Sequence, residues 1–128
     1  MELMIILFAL VAALTVPAAA SAADLGVTVA FDQVSATSGV NVGQTVTATA
    51  AITNTSAARQ NVTVVYTLTG PNTSLVRTQK LSLKSGETVT QSQSYTRDAN
   101  DASGDYTLTV AASDKSGTTT ASATVHYN

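Results

Sequence analysis

The chain opens with an apolar stretch long enough to leave water, and this stretch constrains the fold more than any other feature. Residues 4–23 carry no charge and contain one proline, Pro17. As a helix they would extend about 30 Å, which is close to the thickness of a bilayer's hydrocarbon core. Residues 24–128 follow a different pattern. The sequence therefore divides into an N-terminal hydrophobic helix, residues 1–23, and one further domain, residues 24–128.

The apolar stretch ends like a secretory signal. Its apolar core, residues 5–16, is followed by Pro17 and then by small residues, and Ala20-Ser21-Ala22 has the small-x-small pattern that a signal peptidase accepts. Cleavage after Ala22 would release a chain that begins at Ala23. The one charge before the apolar core is the acid Glu2, whereas a secretory signal normally carries Lys or Arg there.

An acid in front of an uninterrupted apolar helix, followed by a Thr-rich β domain, resembles the type IV pilin superfamily and is most similar to the archaeal pilins and archaellins. The resemblance rests on Glu2-Leu3-Met4-Ile5-Ile6-Leu7 and the run on to Leu14, together with the overall architecture. It implies a precursor held in the membrane, and then a helical filament of identical subunits. Such a pilus would be an extracellular, cell-surface structure with the helices inside and the β domains outside.

In that interpretation the helix makes the contacts between subunits. Small residues let helices approach closely, and Pro17 removes a backbone donor and should kink the helix. Glu2 is costly in an apolar filament core unless a neighbour's N-terminal amine pairs with it. The predicted assembly residues are Glu2, Leu3, Ile6, Leu7, Leu10, Ala13, Leu14 and Pro17.

Residues 1–23 are predicted to be the assembly helix of a filament subunit, and two alternatives stay open. The second interpretation is the cleaved signal of a secreted binding or adhesion module. The third is a simple membrane anchor. The N-terminus of the mature protein separates the first two, because a start at Ala23 indicates a signal and a start near Met1 indicates a pilin-like subunit.

From Asp24 onward the apolar residues recur with a period of two, which is typical of half-buried strands. Turn clusters such as Gly70-Pro71-Asn72 separate the alternating stretches. The pattern predicts a mainly β domain, a seven-stranded immunoglobulin-like β-sandwich. The predicted strands are residues 25–31, 46–52, 62–68, 75–83, 88–96, 106–112 and 121–127.

Two of the predicted strands are irregular. In residues 75–83, Arg77 and Gln79 share the inward parity of the leucines, which predicts an edge strand with an exposed charge. In residues 88–96, Gln91 and Gln93 lie between inward Val89 and Tyr95.

The segment from Gly104 to Val110 resembles the tyrosine-corner strand of immunoglobulin-like domains. The resemblance implies that the Tyr106 hydroxyl bonds back to backbone near the preceding turn. The alternative is that Tyr106 is an ordinary amphipathic core aromatic.

Composition narrows the chemistry. There is no cysteine, so disulfides, thiol catalysis and cysteine-based metal sites are excluded. A net charge of −2 provides no basic field for nucleic acid. The abundant Thr, Ser, Asn and Gln would give an uncharged but well-hydrated surface that suits an extracellular location.

No catalytic residue, cofactor or metal site is predicted, and the chain is therefore expected not to be an enzyme. His126 is the single histidine and faces outward on the parity of its strand, which leaves no base marked for a triad. The loop from Asp98 to Asp105 gathers Asp98, Asn100, Asp101 and Asp105, oxygen ligands of the kind calcium prefers. It lacks the spacing of an EF-hand, and a solvated turn is the simpler interpretation.

Three sequons, at Asn54, Asn61 and Asn72, lie in or beside predicted loops. Each has Ser or Thr two positions on and no proline between, so each is a candidate acceptor for an N-glycan.

Overall fold

A computed structural model describes residues 9–11, 24–32 and 38–128. Those residues form eight β-strands: β1 (Ala9–Val11), β2 (Leu25–Phe31), β3 (Thr45–Asn54), β4 (Gln60–Gly70), β5 (Thr73–Leu83), β6 (Thr88–Thr96), β7 (Gly104–Asp114) and β8 (Gly117–Tyr127). The prediction of a mainly β domain with seven strands after Asp24 is confirmed.

The strands form two antiparallel sheets. One has the order β1-β6-β3-β2 and the other the order β5-β4-β7-β8. The two sheets pack face to face, and each strand from β2 to β8 contributes buried apolar side chains to one continuous core. Representatives, in strand order, are Leu25, Ile52, Leu68, Leu83, Tyr95, Leu108 and Val125.

The helix predicted for residues 1–23 is wrong where the structure describes that segment. Ala9–Val11 is a strand whose residues pair with Ser92, Gln91 and Thr90 of β6. An apolar run has no period that separates helix from strand, and a free sheet edge offers backbone hydrogen bonds to an extended chain. Of the predicted assembly residues, Leu10 lies in β1 and the other seven lie outside the described residues.

Within the described ranges there is no helix with the length and apolar character needed to cross a bilayer.

The prediction that residues 75–83 form an edge strand is confirmed, because β5 ends its sheet and pairs with β4. Arg77 is half-buried rather than exposed. Its register partner is inward-facing Tyr66, and directly opposed residues of an antiparallel pair share a face, so the arginine lies on the inner side of β5.

A polar cluster joins the two sheets inside the domain. The Tyr66 hydroxyl on β4 lies 3.0 Å from Oε1 of Gln79 on β5 and 3.0 Å from Oε1 of Gln91 on β6. Gln91 is only 4% exposed, so its amide must find its partners inside the protein. The phenol therefore connects β5 of one sheet with β6 of the other through the core.

The outer faces of both sheets carry hydroxyl side chains that pair across strands. Thr47 and Ser94 are joined by a hydrogen bond of 2.7 Å, and Thr107 and Thr124 by one of 2.8 Å. The outward positions of β2, β3 and β6 are all Thr, Ser, Ala or Gly, with no charged residue among them. Cross-strand hydroxyl pairs of this kind contribute roughly 0.2–1 kcal/mol each to sheet stability.

We expect Tyr66→Phe to lower the free energy of unfolding by about 1–3 kcal/mol, because it removes the hydroxyl next to the buried Gln91 amide without changing ring packing. Urea unfolding measures the change. Tyr66→Phe combined with Gln91→Leu is the matched control, and it should recover part of the loss because both partners become apolar. Unchanged stability of Tyr66→Phe would contradict a structural role for the cluster.

Candidate functional site

His126 lies on the outer face of β8, directly opposite Asp105 of β7. The His126 Nδ1 and Asp105 Oδ1 atoms are 2.8 Å apart, and the two side chains are 55% and 70% exposed. A carboxylate beside a histidine is two-thirds of a triad, but no hydroxyl is hydrogen-bonded to His126 in the part of the chain that the structure describes. An exposed pair of this type contributes at most about 1 kcal/mol to stability.

The acidic loop from Asp98 to Asp105, where the sequence favours a solvated turn over a calcium site, is organised around its own backbone. Asp98 Oδ1 accepts from the Asn100 N–H at 3.0 Å, and Asp101 Oδ2 accepts from the Asp98 N–H at 2.9 Å. Asp105 points to His126 instead. Among the described residues no group of three or more His, Cys, Asp or Glu side chains could hold a metal ion.

Arg97, which the sequence did not single out, is the centre of the most polar buried cluster. It is 5% exposed, its Nη1 donates to the carbonyls of Val40 (2.7 Å) and Asn128, and its Nη2 donates to Ser103 Oγ at 3.2 Å. Its guanidinium carbon lies 5.1 Å from the ring centre of Tyr127, which fits a cation–π contact. Arg97 therefore ties the segment before β3, the β6–β7 connection and the end of β8 together.

The four tyrosines of the chain are all buried. Burial raises the pKa of Tyr127 to about 12, with the Asp101 carboxylate acting in the same direction. Burial also raises the pKa values of Tyr66 and Tyr95 above the usual range. The folded state therefore keeps these phenols protonated, and they serve as neutral hydrogen-bonding groups of the core.

Tyr106 occupies the position that resembles a tyrosine corner. Its hydroxyl donates to the Ala102 carbonyl at 2.7 Å, and its ring lies 4.4 Å from that of Tyr127, centre to centre. A Cβ at Gly70 would come within 2.3 Å of the Tyr106 ring, so only glycine allows the ring to lie against β4 there. The contact packs the Tyr106 ring, at the start of β7, against the last residue of β4.

Asn54 holds a loop and is not a surface residue. The side chain is fully buried; its Nδ2 donates to the carbonyls of Ala58 (2.8 Å) and Leu83 (3.0 Å), and its Oδ1 accepts from Ser56. A glycan would be attached to that same nitrogen. The prediction of a glycan on Asn54 is therefore corrected for the folded domain.

The other two predicted acceptors lie at the surface. Asn61 is exposed on the outer side of β4, and Asn72 is exposed in the β4–β5 turn. Both stay predictions. The inward parity that Asn54 shares with Ile52 was the sequence signal that distinguished it from them.

A groove of about 290 Å³ lies beside β2, on the outer side of the sheet. Its lining is mostly apolar and consists of Thr28, Val29, Ala30, Phe31, Asp32, Thr47, Thr49 and Ala51. The Asp32 Oδ1 atom accepts from the Thr47 N–H at 2.9 Å. Ligand pockets usually hold roughly 300–1,000 Å³, so this groove is at the small end of the range.

No family model matches the sequence, and no curated protein matches it. Solved structures do share its fold, and two of them match most of this chain. One is the Pseudomonas fluorescens alkylpurine DNA glycosylase AlkC bound to DNA containing an abasic site analogue, with a TM-score of 0.53 and 17% identity. The other is a family 123 glycoside hydrolase from Clostridium perfringens, studied for glycolipid glycan hydrolysis, with a TM-score of 0.54 and 9% identity.

Each match covers 83% of this chain, but only 31% of the glycosylase and 27% of the hydrolase. The chain thus spans less than a third of the proteins that it matches, and at these identities the likeness shows the fold alone. Neither protein is a pilin, so the resemblance to that superfamily stays a prediction.

The prediction that the chain is not an enzyme is wrong as drawn, because both matched structures are enzymes. The prediction rested on the lack of a recognisable catalytic constellation in the sequence. Sandwiches of this shape occur within enzymes. The lack of a recognisable catalytic constellation in the sequence therefore does not distinguish this chain from enzymes.

We expect Asn54→Ala to lower the free energy of unfolding by about 1–3 kcal/mol, since it leaves the Ala58 and Leu83 carbonyls without their donor. Asn61→Ala is the matched control and should change stability by less than about 0.5 kcal/mol. Urea unfolding of both variants gives the comparison. Equal effects of the two substitutions would contradict the difference in burial.

The buried tyrosines should make stability fall as the pH rises above about 10. Phenols of the unfolded chain ionise near pH 10, whereas the folded state raises the pKa of Tyr127 to about 12. The unfolded state therefore binds fewer protons in this window, and each such phenol lowers the free energy of unfolding by about 1.4 kcal/mol per pH unit.

Urea unfolding at a series of pH values, with tyrosinate absorbance as a second signal, checks this dependence. Tyr127→Phe should reduce the slope. A free energy of unfolding that is the same on both sides of pH 10 would contradict it.

Proposed function

We propose that the chain is an exported immunoglobulin-like β-sandwich module, released from its signal after Ala22, that acts outside the cell by binding. The observation that carries this proposal is the position of the domain start. β2 begins at Leu25, directly after the small-x-small pattern, and the strands β2 to β8 supply a continuous core. Cleavage after Ala22 would leave all seven of these strands intact.

The strand order supports the immunoglobulin-like assignment. The first, second and fifth strands after Asp24 share one sheet and the third, sixth and seventh share the other, as in an immunoglobulin-type sandwich. The fourth strand, β5, departs from the constant type, because it pairs with β4 as the added C′ strand of the variable type does. The Tyr106 hydroxyl bond to the Ala102 carbonyl supports a tyrosine corner at the start of β7. A fold alone does not imply a function, so the binding role rests on the surface.

The composition of the outer face of β2, β3 and β6 supports binding of an uncharged extracellular partner. The outward positions of β2, β3 and β6 carry hydroxyl, methyl or hydrogen side chains, and the net charge of −2 gives no attraction to nucleic acid. Rows of hydroxyl side chains on this face suit neutral, hydroxyl-rich ligands such as glycans. The groove beside β2 adds a mostly apolar surface with one carboxylate, Asp32. The exposed Asn61 and Asn72 are the acceptors proposed for N-glycans of the module itself.

A filament subunit is the second candidate, in which residues 1–23 are retained and join identical copies. The pairing of β1 with β6 favours it, because it gives a retained N-terminal segment a place in the fold. For this candidate, Ala9–Val11 would be an extended strand, whereas the pilin resemblance implies a helix there.

N-terminal sequencing of the protein recovered from outside the cell should give Ala-Asp-Leu, which begins at Ala23, and intact mass should agree. Replacing Ala20 and Ala22 by large residues should keep the precursor uncleaved, because signal peptidase requires small side chains at those positions. Ala12→Leu is the matched control and should leave cleavage unchanged. A start near Met1, together with filaments under the electron microscope, would favour the second candidate.

A further inference from the structure

Arg97 and Asp101, both in the β6–β7 connection, are the buried charged side chains of the residues that the structure describes, at 5% and 4% exposed. Each has one buried polar atom without a hydrogen-bond partner there. The atom of Arg97 is the donor Nε, and that of Asp101 is the acceptor Oδ1. Buried polar atoms are nearly always hydrogen-bonded in folded proteins, because an unpaired atom has lost its hydration without a replacement. These two atoms therefore need a partner that the described chain does not supply.

The two side chains do not satisfy each other. No nitrogen of the Arg97 guanidinium lies within 4.0 Å of a carboxylate oxygen of Asp101. Both groups are held by other hydrogen bonds. The guanidinium donates to the carbonyls of Val40 and Asn128. The Asp101 Oδ2 atom accepts from the Asp98 N–H at 2.9 Å. Neither group can turn toward the other without breaking these bonds, so their separation is built into the fold.

The guanidinium and the carboxylate nevertheless lie in the same small region. The Arg97 Nη2 atom is 3.5 Å from the Asp101 main-chain carbonyl oxygen. Burial raises the pKa of Tyr127 to about 12, the Asp101 carboxylate acts in the same direction and the Arg97 guanidinium in the opposite one. Burial also raises the pKa of Tyr106, with the same two opposed influences. Both charges therefore act on the same two phenols, at the end of β8.

The chemistry of the two atoms defines what can lie between them. The partner has to accept a hydrogen bond from Arg97 Nε and donate one to Asp101 Oδ1. A metal cation cannot accept a hydrogen bond, and a simple anion cannot donate one. The opposite charges of the two side chains also offset each other, so a neutral molecule adds no net charge to a buried site. Water both donates and accepts, and one water can join polar groups that lie beyond direct contact.

We propose that one ordered water molecule is buried between Arg97 and Asp101, where it accepts from Nε and donates to Oδ1. It completes the cluster through which Arg97 ties Val40 and Asn128 to the β6–β7 connection. Because both of its partners are buried, this water leaves only when the connection opens. It therefore exchanges with bulk solvent more slowly than surface water does.

The test combines a crystal structure of the exported protein with water relaxation dispersion in solution, which counts long-lived internal waters. The crystal should show one water at about 2.7–3.2 Å from both Arg97 Nε and Asp101 Oδ1. Asp101→Leu should lower the count of long-lived waters by one, because the acceptor is gone. Asp98→Leu, which changes an exposed carboxylate of the same loop, is the matched control and should leave the count unchanged.

Asp101→Asn separates the loss of this water from a general loosening of the loop. The amide oxygen can still accept from the Asp98 N–H, and the amide nitrogen then donates to the water, which can accept from two sides. The count should therefore stay at the wild-type value. Urea unfolding of each variant verifies that the domain is folded.

Direct contact between the Arg97 guanidinium and the Asp101 carboxylate in the crystal would overturn the proposal, and so would an ion at the site. An unchanged count in Asp101→Leu, or a lowered count in Asp101→Asn, would overturn it as well. If Asp101→Leu does not fold, the crystal structure and the count for Asp101→Asn decide. The proposed export and binding role does not depend on any of these outcomes, since the site lies within the domain after Asp24.

Discussion

Burial of apolar side chains between the two sheets is the interaction on which the rest of the structure depends. The period of a strand is two, so β3 and β6 must pair with Val46 opposite Tyr95 for both residues to reach the core. A shift of one residue would bring Thr47 and Ser94 inside and expose the apolar set. The hydroxyl pairs on the outer faces exist because the same register places their partners opposite each other.

The domain has no disulfide, so specific polar contacts close the regions where the apolar core ends. Arg97 closes one end by donating to backbone carbonyls from three segments, and Asn54 closes the connection between β3 and β4. Tyr66 bridges the open side between β5 and β6. Each of these groups is buried, so each is costly to leave unpaired and specifies one arrangement of its neighbours.

The edges of the sheets link the fold to its proposed role. β5 carries Arg77 and Lys80, whereas β6 carries no charge and pairs with the short β1. Both interpretations of residues 1–23 therefore involve the same strand. Retention keeps the β1 pairing with β6, and cleavage after Ala22 removes it. The uncharged outer face of β2, β3 and β6 then decides which kinds of partner can approach it.

The sequence by itself determined the strands after Asp24, since alternation at residues such as Val62, Val64 and Tyr66 is a local consequence of half burial. It also marked β5 as an edge through the parity of Arg77. Only the tertiary structure decided that Arg97 and Asn54 are buried, and that Ala9–Val11 is a strand. Those outcomes depend on partners distant in sequence, the Asn128 carbonyl, the Leu83 carbonyl and the β6 edge, which a local pattern cannot contain.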